Sequence, residues 1–279
     1  VYIHVNRAYV WYLTAVLGLF YAFIGLNIQH DANHGAVSRN PIVNRLLGLT
    51  QNWIGGSSVD WIHQHVVQHH VHTNDLHNDP DISGNALIRL NPLQPLLKYH
   101  MVQHIYIFLL IMGFGFSAVL TAIEHLFTGK HKTYMSSMLN GYRVFEFFAT
   151  IPFIFRWVVI PYLLSPSVST FLHIAPMFVT AGFYLAFFFV ISHNFEGVQM
   201  FDKSQGLNYQ IEHHLFPRMS HTHYPTIAPL VRDFCARKNI PYTHFPTISQ
   251  NITSTVMHLY NFGNNEHPVQ VTTSHKKRQ

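Results

Sequence analysis

The chain has 279 residues, 48% of them hydrophobic and only 10% charged, where soluble domains carry about 25% charged residues; this argues for a membrane protein. Its 23 histidines exceed both the 17 Lys and Arg and the 12 Asp and Glu, while the lone Cys235 excludes an intramolecular disulfide framework and any thiolate-rich zinc or iron–sulfur site. The net charge of +5 lies outside the apolar stretches and comes with no nucleic-acid motif, so it points to a membrane surface or an acidic protein partner and away from nucleic acid.

The first apolar run, Tyr9–Ile28, is long for a signal-peptide core and leads into His30 without a small-residue cleavage site. It is expected to be a retained span. His30-Asp31-Ala32-Asn33-His34 follows at its end. If the helix continues, the i, i+4 spacing sets His30 and His34 on one face, where both imidazoles can reach one metal. Ile42–Gly56 is shorter and carries Arg45, Gln51 and Asn52, which suits an interfacial or re-entrant helix. In His65-Val66-Val67-Gln68-His69-His70 the spacing recurs at His65 and His69, and His70 stands about 100° further round an α-helix. Adjacent ligands of this kind can serve two different metals.

Three more stretches, Ile105–Ile123, Val144–Leu164 and Phe171–Ile191, are apolar enough for membrane segments. The uncharged Ser165–Thr170 between the last two reads as a lumenal hairpin tip. Lys130, Lys132 and Arg143 share one loop, and Arg218, Arg232, Arg237, Lys238, Lys276, Lys277 and Arg278 follow the last apolar stretch; such Lys/Arg-rich regions stay cytosolic. Three crossings between the second and third histidine clusters would put them on opposite faces, so Ile105–Ile123 is expected to lie along the interface or re-enter. The third cluster is Gln210-Ile211-Glu212-His213-His214, with Gln210 one helical turn before His214.

A single His-x-x-x-His pair means little in a chain this rich in histidine. Three clusters, each where an apolar stretch has ended or a polar stretch intervenes, point to metal held by nitrogen and oxygen. Seven cluster histidines are too many for one ion and suggest two. Asp31, Asp75, Asp79, Asp81 and Glu212 lie close in sequence and are expected to accept the other ring N–H of a ligating histidine, although solvated loop charges are an equal alternative for each alone. The expected fold is an all-α integral membrane helical bundle with a cytosolic histidine-rich cap.

The order His-Asp-x-x-His, then Gln-His-x-x-x-His-His-x-x-Thr-Asn with Asp79-Pro80-Asp81 after it, then Gln-Ile-Glu-His-His-Leu-Phe-Pro resembles the membrane front-end fatty-acid desaturases from His30 to about Tyr260. The segment from Trp61 to Asn74 with Asp79-Pro80-Asp81 is most similar to delta-5 and delta-4 members. The resemblance implies a catalytic domain over 1–279 that inserts a cis double bond between an existing one and the carboxyl end of a polyunsaturated acyl chain. It implies two non-haem Fe ions, O₂, and electrons from NADH through cytochrome b5 and its reductase. The implied substrate is an acyl-lipid or acyl-CoA, and the implied location is the endoplasmic reticulum membrane with the boxes cytosolic. The implied metal ligands are His30, His34, His65, His69, His70, Gln210, His213 and His214, joined by His193, whose Ser-His-Asn context matches an additional family histidine. His63, His72 and His77 take supporting or surface roles by default, and His221, His223 and His244 are expected in solvent.

Two departures from the family stand out. The usual fused cytochrome b5 domain with its His-Pro-Gly-Gly motif is not in this chain, which reads as a fragment or as needing a separate donor. The segment Asn194–Leu207 is also shorter than its family counterpart. The alternatives are a related histidine-box hydroxylase or sphingolipid desaturase, a bis-histidine haem carrier, and an inactive truncated paralogue. The Asn251-Ile252-Thr253 sequon falls in the expected cytosolic tail and is expected to stay unmodified.

Overall fold

The computed structural model describes residues 11–83, 86–128, 143–196 and 210–266, and among them all regular structure is helical. Lys130, Lys132, Lys276, Lys277, Arg278 and residues 197–207 of the short segment lie outside the described residues, as do the side chains of Arg143 and Gln210. Among the described residues four helices are long and apolar enough to cross a membrane: Trp11–Asn33 (α1), Lys98–His125, Val144–Leu164 and Val168–His193. The chain divides into two compact units, Val1–His63 with Phe108–Phe187 and Gln64–Ile107 with Phe188–Gln279.

In the first unit, α1 runs as α-helix to Phe23, winds as a π-helix over Ile24–Gln29 and resumes over His30–Asn33. Gln29 Nε2 donates to the Gly25 carbonyl across this wide turn at 2.6 Å. The expected interfacial helix is two short ones: α2 (Pro41–Gly48) starts on Asn40, whose side chain accepts from Ile42 N, and α3 (Thr50–Trp53) follows. Ile42, Leu46 and Trp53 are exposed apolar side chains. Asn33 links Gln29 Oε1 (2.9 Å) to the Gly48 carbonyl (3.4 Å), tying the first histidine box to α2.

A fourth helical stretch (α4, 58–72) begins on Ser57, whose hydroxyl caps it through Asp60 N at 3.0 Å. The stretch Ile105–Ile123 belongs to one unbroken helix, Gln103–Thr128 (α5), so the re-entrant form is excluded. Its Gly115 meets Gly182 of Val168–His193 backbone to backbone: a Cβ built on Gly182 would stand 2.3 Å from Gly115 N. Small residues are what let apolar helices approach this closely. Helix Val144–Leu164 (α6) carries Pro152 and Pro161, and between them the chain winds as a π-helix over Phe155–Val159. A proline ring clashes with the carbonyl four residues earlier, and the wider turn relieves it. Val168–His193 is α7. Phe153, Trp157, Ile174 and Met177 form a buried core, where Trp157 Nε1 donates to Tyr21 Oη at 2.8 Å.

Glu146 in α6 is a buried carboxylate in an apolar helix, and it is well supplied with donors. Oε1 accepts from Asn52 Nδ2 (3.2 Å), Val59 N (3.1 Å) and the Ser57 hydroxyl. Unmet, such a group would cost several kcal/mol; met, it fastens α6 to the turn that starts α4.

The second unit holds the rest of the polar segments: α8 (Gln210–Leu215), α9 (Tyr224–Lys238) and α10 (Ile248–Asn264). The last two end on left-handed Asn239 and Asn265, a position asparagine tolerates. Thr247 and Gln250 form a capping box at the start of α10. Arg89 then binds its far end, donating from Nη1 to the Phe262 carbonyl at 2.6 Å, and Gln103 donates to Leu259 O at 2.7 Å. A cation on orphan carbonyls is favoured by the helix dipole.

Asn251 lies inside α10 and is buried, so the sequon is sterically closed. Glycosidase treatment of the protein from a eukaryotic host should leave its mobility unchanged. At the Gly115–Gly182 crossing, Gly182→Val should lower the thermal midpoint in detergent, since overpacking costs about 1–3 kcal/mol. Gly113→Ala, where a Cβ meets nothing within 4 Å, should be neutral or stabilising by up to about 1 kcal/mol.

Candidate metal centre

The first box stands in the first unit. The His30 and His34 ring centroids are 4.8 Å apart, and Trp61 meets each edge-on at 5.4 Å. His30 Nδ1 lies 3.3 Å from Asp31 Oδ1.

The second and third boxes meet in the second unit. An α-helix would turn His70 away from His65, but Ile62–His69 is a π-helix, whose i, i+5 repeat returns residue i+5 to the side of residue i. The His65 ring therefore lies 5.4 Å from His69 and 4.9 Å from His70. From α8, His213 reaches His70 with the two Nε2 atoms 3.0 Å apart, and His214 stacks on His70 at 4.0 Å. His193, the last residue of α7, has its ring 4.6 Å from His69. One ligand nitrogen each of His69, His193 and His214 lies within 4.8 Å of the other two.

Nitrogens about 2.1 Å from one ion lie about 3.0 Å apart in cis positions and about 4.2 Å apart in trans. The His70–His213 separation equals the cis value, and the His69, His193, His214 nitrogens, within 4.8 Å of one another, would draw together on one ion.

His69 shows how its ring is held. Nδ1 stands 3.1 Å from both oxygens of Asp79 and 3.2 Å from Asp81 Oδ2, so it carries the proton and Nε2 keeps its lone pair. That Nε2 is buried with no hydrogen-bond partner among the described residues. An orphaned buried imidazole nitrogen costs about 1–3 kcal/mol, and a bound cation is the partner that fits it. Asp79 is itself buried and accepts from Asn74 N (2.8 Å) and Asp81 N (3.0 Å). Asn74 has φ +64°, the left-handed conformation that turns its N–H onto Asp79. Burial pulls the His69 pKa down, but the bond to Asp79 and the charges of Asp81 and Asp79 outweigh it and hold it above the ordinary value.

Of the other carboxylates, Asp75 serves its own turn, accepting from His77 N at 2.8 Å and Asn78 Nδ2 at 2.9 Å. Glu212 is fully buried and accepts from Tyr242 Oη at 2.9 Å, so it is the inside of α8 and not a surface charge. Burial, this hydrogen bond and the Glu212 charge push the Tyr242 hydroxyl up to about 12 against the pull of Arg232. Gln210 opens α8, with its side chain outside the described residues. His63 is buried, His72 is half-buried, His77 and His223 are exposed, and His221 and His244 are half-buried, against the solvent expected for these last two.

Three residues not singled out in the sequence touch the boxes: Tyr242 through Glu212, Thr73 at His214 Nδ1 (3.2 Å) and Tyr224 at His213 Nδ1 (3.0 Å). Thr73 had a signal in its place within His-His-x-x-Thr-Asn. The tyrosines had none, since their approach depends on loops that bring them back to α8. Tyr242→Phe leaves Glu212 Oε1 without its tyrosine donor and should cost about 1–3 kcal/mol of stability, measurable as a lower thermal midpoint in detergent.

Comparison with known proteins follows the same lines. The fatty acid desaturase family model matches residues 7–246. The acyl-lipid (7-3)-desaturase of Rebecca salina is 42% identical, with 89% of this chain and 63% of that protein covered. The acyl-lipid (7-3)-desaturase of Diacronema lutheri is 39% identical, with 90% and 63% covered. The acyl-lipid (8-3)-desaturase of Physcomitrium patens is 31% identical, with 88% and 59% covered. The chain thus spans about three-fifths of the length of these curated relatives. No solved structure matches it.

Proposed function

Because the chain belongs to the fatty acid desaturase family, we propose that it is the catalytic part of an O₂-dependent acyl-lipid desaturase of the front-end type, holding two non-haem irons in its histidine boxes. The single observation that carries this reading is the packing of five box histidines and His193 in the second unit, with His69 Nε2 buried and lacking a hydrogen-bond partner among the described residues.

When bound, an imidazole-held iron pair supplies O₂ reduction coupled to removal of two hydrogens from adjacent carbons. His69, His193 and His214 would hold one ion, and His65, His70 and His213 would contribute to the other. His30, His34 and Gln210 are assigned as ligands on their motif positions. Asp79 keeps the His69 proton on Nδ1 and so keeps Nε2 available. Burial of His65, His69, His193 and His213 excludes bulk water from these nitrogens. The absence of thiolate leaves a nitrogen-rich donor set suited to iron.

The relatives' printed names support an acyl-lipid substrate, and two of them carry the (7-3) designation; we assign this chain to that class. Electrons are assigned to NADH by way of cytochrome b5 and its reductase. Arg218, Arg232, Arg237 and Lys238 after the last apolar helix support a cytosolic face for the boxes, in the endoplasmic reticulum. A shared face needs an even number of crossings between the second and third boxes. The hairpin of α6 and α7 supplies two such crossings.

Expressed in yeast supplied with polyunsaturated acids, beside a version fused to cytochrome b5, the protein should yield a lipid product lighter by two hydrogens. A product heavier by one oxygen would make it a hydroxylase, and a strong Soret band a haem carrier. His69→Ala should abolish the product while membrane insertion persists, and an active His69→Ala protein would remove the iron assignment. Gln210→His should retain more activity than Gln210→Ala.

A further inference from the structure

Asp79 faces Nδ1 of His69. At Nδ1 of each third-box histidine stands a hydroxyl, and the hydrogen-bond directions of both hydroxyls can be worked out. The Tyr224 hydroxyl lies 2.9 Å from the Met219 carbonyl and 3.0 Å from His213 Nδ1. A carbonyl only accepts, so the single phenolic proton goes to Met219 and the oxygen must accept from His213. The Thr73 hydroxyl is placed in the same way, 2.7 Å from the His69 carbonyl and 3.2 Å from His214 Nδ1. Its proton goes to the carbonyl, and its oxygen accepts from His214.

We infer that Thr73 and Tyr224 are positioning residues for the metal centre: each spends its own proton on a backbone carbonyl, so it can only accept from the ring, holding His214 and His213 with Nδ1 protonated and Nε2 available to the ions. The inference rests on the metal reading proposed above and adds to it how the third box is oriented. Local structure supports the assignment. The loop after α8 turns through bonds from Phe216 N to Glu212 O and from Met219 N to Phe216 O, which brings the Met219 carbonyl to Tyr224. Tyr224 is buried at the first turn of α9, where Pro225 fits without loss of a helical N–H. Thr73 ends α4 one turn after His69, so the second box carries the residue that orients part of the third. A neutral hydroxyl also lends less electron density to its imidazole than the Asp79 carboxylate lends to His69, which makes the ligands unequal.

The test uses the full chain purified in detergent, stripped of iron and titrated with Co(II), whose ligand-field absorbance reports binding without turnover. Removing the partner of a ligating histidine typically weakens metal binding by about 10–100-fold. Thr73→Val and Tyr224→Phe should each do so and shift the Co(II) bands, with helicity in the metal-free state kept. Thr73→Ser, which retains the hydroxyl, should bind as the unmodified protein does. Val and Phe variants that bind Co(II) with unchanged affinity would overturn the inference while leaving the metal reading intact. A serine variant as weak as the valine variant would also overturn it, because binding would then not follow the presence of the hydroxyl. Failure of the unmodified protein to bind Co(II) would instead overturn the metal reading, and this inference with it.

Discussion

An imidazole has two nitrogens, and burying the ring obliges the protein to find a partner for each. At His69 one nitrogen is committed to Asp79, itself held by two backbone N–H groups, and the other is left in the interior without a hydrogen-bond partner among the described residues. That arrangement costs stability unless something positively charged completes it. His65, His70, His193, His213 and His214 pack around it within one small volume. Much of the second unit can be read as support for this cluster: the Asn74 turn, the Glu212–Tyr242 pair inside α8, and the return of the chain to Tyr224.

The supporting helices depart from regularity where the histidines need it. A uniform α-helix over 58–72 would spread His65, His69 and His70 over more than a quarter turn; the π-helix at Ile62–His69 gathers them. Another π-helix leads into His30. In the first unit, close packing relies on missing side chains at Gly18, Gly115 and Gly182, while Glu146 anchors α6 to the polar turn ahead of α4. Apolar packing and one well-supplied carboxylate act together there. Either alone would leave the polar turn loosely attached to an apolar scaffold.

Much of this was legible in the residues because a bilayer is a severe solvent. Runs of about 20 apolar residues have one stable backbone solution in it, so the four long helices and their approximate bounds followed from composition. The desaturase resemblance followed from the Gln-Ile-Glu-His-His-Leu-Phe-Pro order and is met by the family match over residues 7–246. The role of Asp79 was equally open to sequence reasoning, since it lies ten residues from His69. Asp75, equally close, serves its own turn, and Glu212 bonds a tyrosine thirty residues away. Nearness along the chain did not separate these three carboxylates.

The amino-acid order by itself determined the apolar helices, the histidine spacing and the family, because these depend on local periodicity and on motif positions. Only the tertiary structure decided which polar atom faces which ring nitrogen. The π-helical winding, the left-handed Asn74 and the approach of Thr73 and Tyr224 to His214 and His213 arise from loops and packing that have no periodic signature. A hydroxyl can donate or accept, and its direction becomes definite only when a carbonyl from elsewhere in the fold claims the proton.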